Sequence, residues 1–495
     1  MPTQTAPAPS RAGEALADVR LFIDGAWTDA QSGRTFDSLN PATGARLATI
    51  HEAGAEDVDR AVRAARRAFD EGPWPRLPIA ERCRILNRIA DIILRRKDEL
   101  ARLESLDSGK PIRESMEIDI PRAAYNFQFF ADFFRYAHTE CLPLDDRALT
   151  YVRRQPVGVA ALITPWNLPL YLTTWKVAPC LGAGNTCVVK PAELTPVTAA
   201  VLAEIAQEAE LPAGVLNVVQ GFGPSAAGEF LTRHPAVNLI SFTGETTTGK
   251  AIMAAASSTL KRLSFELGGK GAAIVFEDAS LDEAMPVALR AAFQNQGEVC
   301  LAGSRLLVQQ SIYDKVLERL TGAAKEIRVG DPLDPTTQMG ALVSEDHLAK
   351  VSSYVDIARD EGARVLCGGK RPDEMQRGNF YLPTVIDRLQ PISRVCREEI
   401  FGPVVTVMPF KDEAEAVSIA NDTQYGLSAV VCTRDLNRAH RVAAQLEAGT
   451  VWINCWMLRD LRAPFGGFKS SGIGREGGHY SLEFFTEAKS ICVKL

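Results

Sequence analysis

Between residues 157 and 267 short β-branched runs alternate with amphipathic stretches of helical period, and this alternation restricts the fold more than any other feature of the chain. Runs at 157–164, 186–189, 215–220, 239–242 and 263–267 read as strands, separated by helical patterns at 170–182, 196–209, 224–233 and 247–257. Strands joined by helices of this length lie parallel, because each helix carries the chain back to the same end of the sheet. The predicted product is a doubly wound sheet with helices on both faces, which binds ligands beyond the C-terminal ends of its strands.

After residue 270 the alternation restarts with other spacings. Strands at 272–276, 304–308, 384–386 and 404–410, with helices at 281–294, 312–327, 345–361, 412–421 and 436–447, predict a second α/β domain. Upstream, a short strand and turn is expected at 21–27 and surface helices at 55–67 and 80–106. Residues 1–18, rich in Pro and Ala, read as a disordered tail. The runs 148–155 and 491–495 look like strands without a local partner, which points to pairing with another subunit.

Lys plus Arg number 55 against 61 Asp plus Glu, a net charge of −6, so the chain lacks the basic surplus that a nucleic-acid or anionic-membrane partner requires. No apolar run is long enough for a signal or membrane span, and a cytoplasmic location is expected. The ten cysteines form no C-x-x-C pair and have no nearby His, which is neither a zinc spacing nor a secreted disulfide framework. No metal is expected, and one of the ten is a candidate nucleophile.

Glycines cluster at Gly221-Phe222-Gly223-Pro224-Ser225-Ala226-Ala227-Gly228, but the third falls two positions late for a dinucleotide fingerprint. A plain strand-to-helix turn and a nucleotide loop fit equally. Lys190 and Glu193, beyond a strand end, have the spacing to reach two ribose hydroxyls or to form an exposed ion pair. Glu266 ends an apolar strand at a double glycine, where a carboxylate is costly to bury without a role. Cys300 follows a polar, glycine-containing loop. Taken singly, each has a structural explanation.

Together these residues stand in a recognisable order. Pro165-Trp166-Asn167, Lys190-Pro191-Ala192-Glu193, Glu266-Leu267-Gly268-Gly269-Lys270, the loop ending at Cys300, Glu399-Ile400-Phe401-Gly402-Pro403 and Pro464-Phe465-Gly466-Gly467-Phe468-Lys469-Ser470-Ser471-Gly472 resemble the NAD(P)-dependent aldehyde dehydrogenase superfamily, over nearly the whole chain after residue 20. The resemblance implies a Rossmann-like NAD-binding domain from 19–138 and 157–267, a catalytic domain from 268–475, and a small β oligomerisation element from 139–156 and 476–495. It implies Cys300 as nucleophile, Asn167 and the Cys300 N–H as oxyanion donors, and Glu266 as general base. It also implies an NAD site of Trp166, Lys190, Glu193, Gly223, Gly244, Glu399 and Phe401, with Glu193 repelling the 2′-phosphate of NADP.

The segments Trp456-Met457-Leu458-Arg459-Asp460-Leu461-Arg462 and Ile120-Pro121-Arg122-Ala123-Ala124-Tyr125 further resemble the dehydrogenases of 2-hydroxymuconate- and 2-aminomuconate-6-semialdehyde. That likeness implies Arg122 and Arg462 as a clamp for an acidic semialdehyde, with Tyr171 and Cys455 lining the tunnel and Arg459 in a structural ion pair. A different acidic semialdehyde, broad aldehyde specificity, or a non-catalytic protein on the same scaffold are the alternatives. Two departures stand out. Glu245 replaces a usual Ser at a helix start, where it is a plausible cap, and Glu298 replaces a usual Gln before Cys300, read as a modest change of loop surface.

Overall fold

The computed structural model describes residues 18–495, so the tail expected at 1–18 lies, except for Asp18, outside the described residues. The central strands are β1 (Val159–Ile163), β2 (Thr186–Lys190), β3 (Leu216–Val218), β4 (Leu239–Thr243) and β5 (Arg262–Glu266). They are parallel in the order β3-β2-β1-β4-β5. Every residue of β1 and β2 is buried, which is why these strands are continuous apolar runs rather than alternating ones. Leu21–Ile23 pairs antiparallel with β3, and Gly472–Ile473 pairs antiparallel with β5 at the far edge. Strand order reverses between β1 and β4, so the crevice for a ligand opens beyond their C-terminal ends.

Helices α1 (Ile120–Arg135) and α2 (Pro169–Gly182) pack together over one face of this sheet. Pro169 opens α2 at a position where a missing N–H costs nothing. The single helix expected over 80–106 is two, Ile79–Arg95 and Lys97–Ser108, divided at Arg96. The Arg96 guanidinium pairs with Glu99 and Glu204, a tertiary contact that local periodicity does not encode.

The second sheet contains β6 (Ala272–Val275), β7 (Arg305–Gln309), β8 (Thr384–Asp387), β9 (Val404–Phe410), β10 (Ser428–Cys432) and β11 (Thr450–Ile453). Its order is Arg364–Cys367, β8, β9, β7, β6, β10, β11, with only the first strand antiparallel. Strands β10 and β11 were not anticipated, because a short buried apolar run has no period that separates strand from helix. Helices α3 (Leu281–Phe293) and α4 (Glu345–Asp360) belong to this half.

A third sheet corrects the reading of the chain end. Thr486–Lys494 pairs along nine residues with Ala148–Pro156 of the same chain, which in turn pairs with Cys141–Leu144. The terminal strand therefore has an intrachain partner some 340 residues away in sequence, a separation that no local pattern reports.

Candidate active site

Where α3 ends, the chain turns through Asn295 (φ 50°), Gln296 (φ 56°) and Gly297 (φ 70°). Left-handed backbone is unfavourable for the first two, and hydrogen bonds from several elements hold it. Asn295 Nδ2 donates to the backbone oxygens of Asn167 (3.2 Å) and Glu298 (3.1 Å), and Gln296 Oε1 accepts from the Gly340 amide (3.2 Å). A side chain at Gly297 would collide with the Gly402 carbonyl. The turn delivers Cys300 half-buried, its thiol pushed up to about 12 by burial and then by the Glu399 and Glu266 carboxylates, with Arg459 opposing. A resting thiol is therefore protonated, and attack requires a base.

Glu266 terminates β5 and is 4% exposed, and among the described residues neither of its carboxyl oxygens has a hydrogen-bond partner. Burial, then the neighbouring Glu476 carboxylate, hold its carboxyl well above the ordinary range. Glu476 accepts from Lys176 Nζ (2.8 Å), Trp175 Nε1 (2.6 Å) and Ser241 Oγ (3.2 Å), a buried network that sequence reasoning missed. Its one signal was Lys176, a lone charge in the otherwise apolar α2. The double glycine that follows Glu266 has two separate reasons. A side chain at Gly268 would strike the Glu399 carboxylate, and one at Gly269 the Cys300 carbonyl. Asn167 is 5% exposed and one Nδ2 hydrogen goes to the Glu298 carbonyl at 2.8 Å. Its second amide hydrogen has no partner among the described residues.

The residues expected to hold NAD lie at the crevice set by the strand order. Lys190 ends β2, is 4% exposed and contacts Glu193 at 3.1 Å; burial lowers its ammonium, with Glu193 opposing. A side chain at Gly223 would project into open space, so that turn leaves room for a ligand. Gly244 has a packing reason of its own, since the Phe242 ring fills the space beside it. Glu399 accepts from the Gly269 amide at 2.8 Å, and burial raises its carboxyl to about 7. The Trp166 ring meets Phe401 edge-on at 5.1 Å. A lysine and carboxylate beyond β2, an open glycine turn beyond β3 and an aromatic pair near Cys300 fit a dinucleotide. Glu245 starts the helix Thr246–Ala256 but makes no side-chain cap bond, contrary to the capping expectation.

The two arginines expected to clamp the substrate lie in different surroundings. Arg122 donates from Nε to Asn126 (3.1 Å), lies over the rings of Tyr171 (5.2 Å) and Trp175 (6.0 Å), and leaves Nη2 buried and unbonded. Burial lowers its guanidinium, and Arg459 lowers it further. Arg462 does not join it: its side chain is 77% exposed and bound to Asp460 at 2.6 Å. Arg459, expected in an ion pair, forms none among the described residues; it covers Phe465 (3.8 Å) and Trp175 (5.3 Å). Leu461, which stands between Arg459 and Arg462 in sequence, is buried. Tyr171 is buried beneath Arg122, and Cys455, like Cys300, packs against the second-domain core that contains Trp456. Glu298 is likewise no surface change, being 1% exposed.

The sequence and fold match characterised proteins throughout. The model of the aldehyde dehydrogenase family matches residues 27–491. The chain is 51% identical to the 2-hydroxymuconic semialdehyde dehydrogenase of Pseudomonas sp. (strain CF600), covering 97% of this chain and 100% of that protein. It is 48% identical to the 2-aminomuconic semialdehyde dehydrogenase of Danio rerio, covering 93% and 95%. The NAD+ complex of the Bacillus cereus aldehyde dehydrogenase superposes with a TM-score of 0.94 at 41% identity over 97% of each chain.

Proposed function

The chain belongs to the aldehyde dehydrogenase family, and on that premise we propose that it uses NAD to oxidise a carboxylate-bearing semialdehyde, of the 2-hydroxymuconate or 2-aminomuconate type, to the dicarboxylate in aromatic meta-cleavage catabolism. The observation that carries the substrate class is the pair Arg122 and Arg459, two cations over the Trp175 ring of which neither forms a salt bridge among the described residues, Glu476 being engaged by the indole N–H and Lys176. Like charges gathered at one place are unfavourable until an anion joins them, and guanidinium groups bind a carboxylate through paired, charge-assisted hydrogen bonds.

Cys300 adds to the aldehyde carbon as its thiol proton passes to water, and Glu266, an unpartnered carboxyl of raised basicity, stays free for the second half of the reaction. The resulting oxyanion is held by the free Nδ2 hydrogen of Asn167 and the Cys300 N–H. NAD, when bound, supplies the hydride acceptor for conversion of the tetrahedral centre to a thioester. Lys190, Glu193, Trp166, Gly223, Gly244, Glu399 and Phe401 would hold it. Glu266 then activates water to hydrolyse the thioester, and the Lys176–Glu476 network beside it fixes the field in which that proton moves.

The three-stranded sheet exposes Leu142, Leu144, Val493 and Leu495, which fits a homo-oligomer built through that element. Ten free cysteines fit a reducing, cytoplasmic setting. No helix among the described residues is long and apolar enough to cross a membrane. The test is a screen for NADH formation from ring-cleavage semialdehydes beside neutral aldehydes of similar size, with NAD and NADP compared. Preference for a neutral aldehyde would overturn the substrate class.

A further inference from the structure

The loop carrying Cys300 and the loop carrying Phe401 meet through a buried pair that the mechanism above does not use. Glu298 Oε1 accepts from the Val343 amide at 3.0 Å, and Oε2 from Gln296 Nε2 at 3.4 Å. The backbone oxygen of Glu298 receives Nδ2 of both Asn167 and Asn295. In the first turn of α4, His347 Nε2 lies 2.6 Å from the Phe401 carbonyl oxygen and 3.6 Å from Glu298 Oε1. The imidazole also meets the Trp166 ring at 5.1 Å.

Phe401 has φ 61°, a conformation that a non-glycine residue holds only when its surroundings impose it. The His347 hydrogen bond is such a constraint, and the close approach of Gly297 to Gly402 is a second. A carbonyl oxygen only accepts, so Nε2 carries the hydrogen and points it at Phe401. Burial holds the His347 imidazole down to about 4, with the Phe401 hydrogen bond opposing and the facing Lys350 assisting. Burial keeps the Glu298 carboxyl well above its ordinary range, against the Val343 and Gln296 hydrogen bonds and the facing Lys110. The two side chains are thus each fixed by their own hydrogen bonds and touch one another through shape.

We propose that Glu298 and His347 are positioning residues that couple the Cys300 loop to the Phe401 loop, so that the thiol and the cofactor side are set by one buried contact. This rests on the assignment of Phe401 to the NAD site made above. Its consequence is reciprocal: a change at His347 reaches the thiol, and a change at Glu298 reaches the cofactor.

The test is a double-mutant cycle with Glu298→Ala, His347→Ala and both, plus Glu298→Gln. Alkylation of Cys300 by iodoacetamide is followed on its own peptide by mass spectrometry, because Cys141 and Cys492 are also exposed. NAD affinity is followed by tryptophan fluorescence, and kcat and KM are measured separately. Each alanine variant is expected to change Cys300 alkylation and NAD affinity together, by about tenfold. The double variant should be no worse than the poorer single one, and Glu298→Gln should restore both readouts to within about twofold. Additive losses, or a Glu298 effect confined to the thiol and a His347 effect confined to NAD, would overturn the coupling. If the alanine variants do not fold, Glu298→Asp and His347→Gln supply the same cycle. Alkylation requires no turnover or NAD, so a wild-type protein that oxidises no semialdehyde overturns the functional reading while this arm still decides the coupling.

Discussion

The guanidinium carbon of Arg459 lies 3.8 Å from the centre of the Phe465 ring, and this contact turns it away from Asp460 and toward Trp175. Arg462 takes the acid instead, in a pair too exposed to contribute much. Arg459→Ala and Arg122→Ala are each expected to raise KM for a carboxylate-bearing semialdehyde roughly 10- to 100-fold, the worth of a charge-assisted hydrogen bond. For a neutral aldehyde the change should stay within about threefold. Arg462→Ala should leave both nearly unchanged, and steady-state kinetics with the two aldehydes decides between the arginines.

Asn167→Ala removes a donor aimed at developing charge. Loss of one such donor costs about 100- to 1000-fold in kcat. KM should move little, because the ground-state aldehyde carries no full negative charge. Equal losses in kcat for Asn167→Ala and in affinity for substrate would mean that its bond to the Glu298 carbonyl, rather than an oxyanion contact, is its main role.

Glu266 should impose a pH dependence on the second half of the reaction. Burial and Glu476 hold its carboxyl well above the ordinary range, so the basic form grows only as pH rises toward that raised value. Thioester hydrolysis is expected to accelerate with pH through that region, and acyl-enzyme to accumulate below it. Glu266→Gln should leave a trapped acyl-enzyme, visible as a mass increment on the Cys300 peptide, with the pH dependence of hydrolysis flattened. A variant with wild-type turnover and no trapped intermediate would remove Glu266 from the role of base.

The strand-helix alternation made both large sheets legible, because buried parallel strands need continuous apolar runs and their crossovers need helices. Cys300, Glu266 and Asn167 were legible through a resemblance of motifs rather than through local pattern. What stayed hidden depends on contacts between distant segments. Which of Arg459 and Arg462 turns inward is decided by the Phe465 ring and by Asp460, not by spacing. Glu298 looked like a surface change because a carboxylate is normally solvated. It is buried because Val343 and Gln296, brought in by the fold, satisfy its oxygens. The pairing of 486–494 with 148–156 has no local signal either, and only the resemblance, which puts 139–156 and 476–495 in one β element, points to it.

Glu193 gives a test of cofactor choice that is independent of the substrate. Its carboxylate stands 3.1 Å from Lys190 Nζ beyond β2, with its side chain 36% exposed. A 2′-phosphate placed there would meet a like charge, and Glu193→Gln removes that repulsion while keeping a hydrogen-bonding side chain. The variant is expected to gain on NADP by roughly tenfold in kcat/KM, with a smaller loss on NAD.

The buried Glu298 carboxyl also predicts how stability varies with pH. In the unfolded chain a glutamate titrates near ~4.3, whereas in the folded protein burial keeps this one protonated to well above that value. Between the two values the folded state binds more protons than the unfolded state, so stability falls as pH rises, at up to about 1.4 kcal/mol per pH unit. Glutamine does not titrate and escapes this loss. Glu104, Asp107 and Glu114, each pushed by burial to about 7, titrate alike in both proteins and cancel from the difference. Glu298→Gln is therefore expected to gain on wild type as pH rises from the unfolded value of about 4.3 toward the raised folded one, by a few degrees in Tm. Thermal unfolding of both proteins across that range measures the difference directly, and a gap that does not widen with pH would mean that Glu298 is already ionised in the folded protein.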